Sequence, residues 1–151
     1  MNYASRLSIL ALLALTAPTL TYAALGENAA SVQIDQAQMK ATLRPAVSNP
    51  KFSVHEIQTP EGIVVKEFVS ASGTVFAVVW NGPTMPNLQQ LLGQYFNSYV
   101  SAAKKPHDGH KHLAISQPGL VVESQGHMRA FFGKAYLPDM LPAGVTAEEL
   151  Q

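Results

Sequence analysis

The chain contains no cysteine, which excludes disulfides, thiol catalysis, cysteine-ligated zinc and iron–sulfur clusters. Charge is sparse: only 13% of the residues are Asp, Glu, Lys or Arg, and the formal net charge is +0. That balance leaves no cationic footprint for nucleic acid, whose affinity comes from clustered positive charge neutralising phosphates. Glycine-rich phosphate loops of the forms G-x-G-x-x-G and G-x-x-x-x-G-K are missing. Ser70-Ala71-Ser72-Gly73 lacks the G-x-S-x-G context of a serine hydrolase. Glu56, Glu61, Glu67 and Glu123 are scattered over strand and turn positions, as surface acids are, and do not announce the paired carboxylates of a sugar hydrolase.

Only one apolar run has any length, Leu7 to Ala17, and it lies at the start. Arg6 precedes it, and Pro18 and Thr21-Tyr22-Ala23 follow, the order of charge, apolar core and small residues that a signal peptide uses. Residues 1–23 are read as that leader, too short in its uncharged stretch for a bilayer span of about 20 residues. Residues 24–151 then form a single exported domain, periplasmic or secreted, without membrane insertion once the leader is removed. With no disulfide available, packing alone must hold it together.

The pattern predicts an α+β fold, an antiparallel sheet of about five to six strands with one long amphipathic helix packed on it and a shorter N-terminal helix. Ala24 to Ala30 is small and polar enough for a flexible start. Ser31 caps a narrow helical face of Val32, Gln36, Met39 and Leu43, which Pro45 closes. Lys51 to Gln58, Gly62 to Ser70 and Gly73 to Asn81 are rich in β-branched and aromatic residues and predict a three-stranded meander, the third strand central because it is apolar on both faces. Asn87 and Gln90 have capping-box spacing ahead of Leu88, Leu91, Leu92, Tyr95, Phe96, Tyr99, Val100 and Ala103, a helix of about four turns ended by Pro106. Short strands are expected at His112 to Ser116, at Leu120 to Ser124 and within His127 to Leu137, where Gly133 marks a bulge or a close backbone approach. Thr146-Ala147-Glu148-Glu149 repeats the capping-box spacing near the end.

Two sets of residues are candidates for chemistry. HDGHKH, residues 107–112, supplies His107, His110 and His112, and imidazoles in such number suit zinc or copper. No second rigid element is identified that would add a ligand, so an ordinary solvated loop is the first reading of the run, and no other cofactor is implied. Trp80, Tyr95 and Tyr99 are candidate ligand-binding aromatics for a groove between helix and sheet, with Trp80 at its strand end expected to be partly exposed. A domain without disulfides also needs such side chains for its core.

ALGENAASV after the leader, VVKEFVSASGTVFAVVWNGPTMPNLQQLLGQYF in the middle and GHMRAFFGKAYLP near the end resemble a family of short exported proteins of Gram-negative bacteria described as a domain of unknown function. The resemblance implies export and assigns no reaction and no site residue. The expected function is that of a non-catalytic periplasmic or secreted binding or accessory protein, its partner an unidentified protein or small ligand. The alternative is a periplasmic transition-metal binding protein using the histidine-rich loop.

Overall fold

In a computed structural model, which describes residues 24–104 and 112–151, the elements run in the order α1 (Ser31–Gln38), β1 (Thr42–Leu43), β2 (Val47–Ser48), β3 (Phe52–Gln58), β4 (Val64–Ser70), β5 (Val75–Gly82), α2 (Leu88–Leu92), α3 (Phe96–Ala103), β6 (His112–Gln117), β7 (Leu120–His127) and β8 (Ala130–Tyr136). All strand pairs are antiparallel, in the order β1-β3-β4-β5-β8-β7-β6, with β2 also pairing with β3. Two meanders, β3-β4-β5 and β6-β7-β8, thus join along β5 and β8, and α2 and α3 occupy the connection between them. The α+β class and the six longer strands agree with the sequence pattern. The sheet has 8 strands rather than five or six because β1 and β2 are two-residue pairings along the edge of β3, too short to leave a period.

Strand β5 is central, as its two-sided apolar character requires: Val75, Phe76, Ala77 and Val78 are all fully buried. Alternation divides its neighbours between two layers. Ile57, Val65, Val78, Trp80, Val122 and Ala135 join Val32, Leu88, Leu91 and Leu92 in a core under the helices. Phe52, Phe68, Phe76 and Ala77 form a second core with Val145 and Leu150 on the opposite face. Residues 138–151 lie across that face as a strap containing two short 3-10 turns.

Several expectations are corrected. The start is not flexible: Ala24 and Leu25 are fully buried, and backbone hydrogen bonds join Leu25 to Leu91, Gly26 to Val75 and Ala29 to Gly73. Helix α1 stops at Gln38, well before Pro45, because Lys40 turns the chain at φ 50°. Its N-cap is Ala30, and the Ser31 hydroxyl instead donates to the Asn28 carbonyl. The second helix is broken at Gly93 by a 3-10 turn, Gly93–Tyr95, so that its first half is buried while Tyr95, Phe96 and Tyr99 only partly cover the core. No helix among the described residues is long and apolar enough to cross a membrane.

Candidate functional site

The strap leaves part of its face open, and there the sheet register lines up charge. Glu56 on β3 is paired with Lys66 on β4, Lys66 with Val79 on β5, Val79 with Lys134 on β8, and Lys134 with Glu123 on β7. Directly paired antiparallel residues project to one face, so these side chains form a single row. The next row on that face is Gln58, Val64, Asn81, Phe132 and Gln125. All of these except Gln58 line an open groove of about 640 Å³, to which Leu150 and Gln151 of the strap also contribute. Phe132 is 44% exposed in it, a large apolar ring that the other described residues leave partly uncovered.

The charges of the groove are mostly paired. Arg44 Nη1 lies 2.9 Å from Glu56 Oε1 and its Nη2 donates to Gln58 Oε1, also at 2.9 Å. Lys134 Nζ lies 3.5 Å from Glu123 Oε2. Three lysines also fasten the strap by donating to its backbone: Lys51 to the Gly144 carbonyl at 2.7 Å, Lys134 to Ala147 at 2.9 Å and Lys66 to Gln151 at 3.1 Å. Burial, then the charges of Glu123 and Glu148, hold the Tyr136 phenol above its usual range.

On the helix side of the same sheet lies a closed polar cluster. Glu67 of β4 is fully buried and Asp35 of α1 is 1% exposed. Gln90 Nε2 donates to Asp35 Oδ1 at 2.8 Å and reaches the Asp35 carbonyl at 3.4 Å. Asp35 Oδ2 and both Glu67 carboxylate oxygens find no donor among the described residues. Two ionised carboxylates can only accept, so the cluster is satisfied by a proton on one of them. Burial and then the charge of Asp35 hold Glu67 well above the ordinary carboxyl range, and burial raises Asp35 as well. His55 stands opposite Glu67 in the register, and burial lowers its pKa, so it adds no compensating charge.

A family model described as Protein of unknown function (DUF2844) matches residues 21–150. The chain belongs to that family. Its members share a description that names no activity, and no curated protein and no solved structure matches the chain. For this DUF2844 chain the site must therefore be weighed on its own residues.

The aromatic trio expected from the sequence lies in the helix layer, Trp80 within its core and Tyr95 and Tyr99 packed against it. Trp80 is 1% exposed, contrary to the exposure expected of it, because its indole lies over Gly133, where any side chain would collide with the ring and with the Glu123 carbonyl. Gly133 is thus a close approach, as its place in the strand suggested. Tyr95 packs against Gly26, and Tyr99 stacks on Phe96 with centroids 6.1 Å apart, its phenol raised by burial. All three belong to the helix layer. His107 and His110 lie outside the described residues; β6 begins at His112, paired with Gln125 and so two residues from His127. Among the described residues no group of three or more His, Asp or Glu is disposed to hold a metal.

Sequence reading missed the groove and the acid cluster. Phe132 carried the one signal for the first, being aromatic on the face that also bears Lys134. For the second, Glu67 interrupts the face of Val65 with a charge, and Gln90 was assigned to a capping box. The Asn87 side chain does accept from the Gln90 N–H at 3.2 Å, but the Gln90 amide turns inward to Asp35.

Proposed function

We propose that this domain is a non-catalytic binding protein of the periplasm or of the secreted fraction, and that its ligand site is the groove on the strap face. The observation that carries the reading is the exposed Phe132 ring on a concave floor rimmed by paired charges. Ligand sites combine apolar surface with a few fixed polar groups in this way. The compartment rests on the leader pattern of residues 1–23. The acid cluster is sealed from solvent and supplies no reacting group to the groove.

NMR titration with indole and phenylacetate tests it. Saturable shifts are expected at the Asn81 and Gln125 side-chain amides, weakened about ten-fold or more in Phe132→Ala, in line with loss of a buried aromatic contact. Shifts confined to Tyr95 and Tyr99, or none at millimolar ligand, would overturn the reading.

The alternative is transition-metal binding by His107, His110 and His112. What favours it is the pairing of His112 with Gln125, which brings the start of β6 alongside the end of β7, where His127 lies. Calorimetric titration with zinc and with copper separates the two. One-to-one micromolar binding abolished by alanine at His110 and His112 supports the metal role, and millimolar, non-stoichiometric uptake rejects it.

A further inference from the structure

We propose that β6 is a dimer edge, against which a second copy of this chain lays its own β6 antiparallel, so that the two sheets run on as one. The sheet ends differently at its two sides. Along β3 the outer edge is taken up by β1 and β2, and the Glu56 carbonyl accepts from the Arg44 N–H, whereas β6 has β7 on one side and no strand on the other among the described residues. A strand left open in this way presents unpaired N–H and C=O groups to any strand that can match them.

Hairpin geometry identifies those groups. Two-residue turns, Pro118-Gly119 and Met128-Arg129, close the β6-β7 and β7-β8 hairpins and make Gln117–Leu120 and His127–Ala130 hydrogen-bonded pairs. Such pairs alternate along a ladder, so β7 turns the backbone groups of Leu120, Val122 and Ser124 toward β6 and those of Val121, Glu123 and Gln125 toward β8. The two hairpins agree. In β6, Leu113, Ile115 and Gln117 therefore bond to β7, while the backbone groups of His112, Ala114 and Ser116 face outward, and no turn or loop of the described residues takes them up.

Symmetry commits this edge to its own copy. The outward residues are evenly spaced about Ala114, and a two-fold axis there sets Ala114 against the partner's Ala114 and His112 against the partner's Ser116, about six hydrogen bonds that leave none of the outward groups unpaired. The residues suit the junction. His112–Gln117 contains no Asp, Glu, Lys, Arg or Pro and no bulge, the devices that keep edges apart. Ala114 and Ser116 are small and exposed, so the side chains nearest the axis meet without a clash. On the other face the partly exposed Leu113 comes opposite the partner's Ile115. Helix α3, which contacts β6, has no fully buried residue, and Phe96, Tyr99 and Val100 stay half-covered at the end of the helix layer, where the partner's layer continues it.

Sedimentation velocity tests the dimer, and a single cysteine tests its register. The protein should pass from monomer to dimer between about 5 and 500 µM. Ala114→Pro removes the outward N–H at the axis without touching the bonds to β7, and should raise the dimer dissociation constant about ten-fold or more. Ala114→Lys sets like charges against each other and should act in the same direction, less so in high salt. Because the chain has no cysteine of its own, Ala114→Cys should cross-link to its copy under mild oxidation, the paired Cα atoms being about 5.5 Å apart. Ser116→Cys, whose counterpart lies four residues further along, about 14 Å away, should not. A protein still monomeric at about 500 µM, whatever other strand its β6 then accepts, would overturn the proposal. So would a dimer indifferent to both Ala114 variants, or cross-linking at Ser116 in place of Ala114.

Discussion

Lys66 and Glu67 are neighbours on β4, yet they live in opposite environments. Lys66 faces the strap, half-buried, and keeps its charge, donating to a main-chain oxygen of Gln151 in a groove open to water. Glu67 faces the helices, fully buried, where burial and the charge of Asp35 hold its carboxyl well above the ordinary range. One strand thus separates an open, charged face from a closed one under the helices. The difference follows from what covers each: α1 with Val32 and α2 with its leucines exclude solvent, while the strap crosses with two apolar plugs and leaves main-chain oxygens for lysines to find.

The largest contrast should appear in stability. Trp80→Ala empties the largest fully buried side chain of the helix layer, and an aromatic truncated in a core costs about 3–5 kcal/mol. Phe132→Ala, on the open face, should cost less than about 1 kcal/mol, as surface changes generally do. Urea unfolding of the two variants measures both. A comparable loss in each would mean that the groove is part of the core.

Next in size is the response to pH. Glu67 has a folded pKa raised above its unfolded value, so its contribution is fully present below the ordinary carboxyl value of 4.5 and is lost as pH rises through the folded pKa. His55 acts in the other direction, because burial depresses its pKa and stability is lost as pH falls below the ordinary value of 6.5. Glu67→Gln keeps a donor toward Asp35 without an ionisable proton. It should therefore unfold at a similar urea midpoint near pH 5 and at a higher one than the parent near pH 9. A parent midpoint that does not decline between those two values, or a Glu67→Gln variant that declines as the parent does, would show that the proton is not where the cluster requires it.

Legibility in the sequence divides along the same line. Strands β3, β4 and β5 were legible because β-branched runs and Gly or Pro turns are local signals, and Gly133 because a strand glycine usually marks a close approach. The acid cluster was not, since Asp35, Glu67 and Gln90 meet only through tertiary contact and each has an unremarkable local role. Trp80 was misplaced because its position at a strand end says nothing of Gly133 on a strand that arrives 53 residues later in the chain. The groove was invisible for a related reason: it is defined by the register of β4, β5 and β8, and by a strap whose only local signal was the capping box that Thr146 and Glu149 do form.

The smallest effect probes how the open face keeps its shape. Lys51→Ala removes one lysine-to-carbonyl bond at the strap's entry, 2.7 Å long and exposed, and should cost about 0.5–1 kcal/mol of global stability. Its local consequence should be larger than its global one. Fastening at Gly144 limits how far Val145 and Leu150 can lift from Phe68 and Phe76, so amide exchange at residues 145–150 should accelerate while that of β5 stays unchanged. Equal acceleration in both would mean that the strap and the sheet open only together, and the strap's part of the groove would then be as rigid as the core behind it.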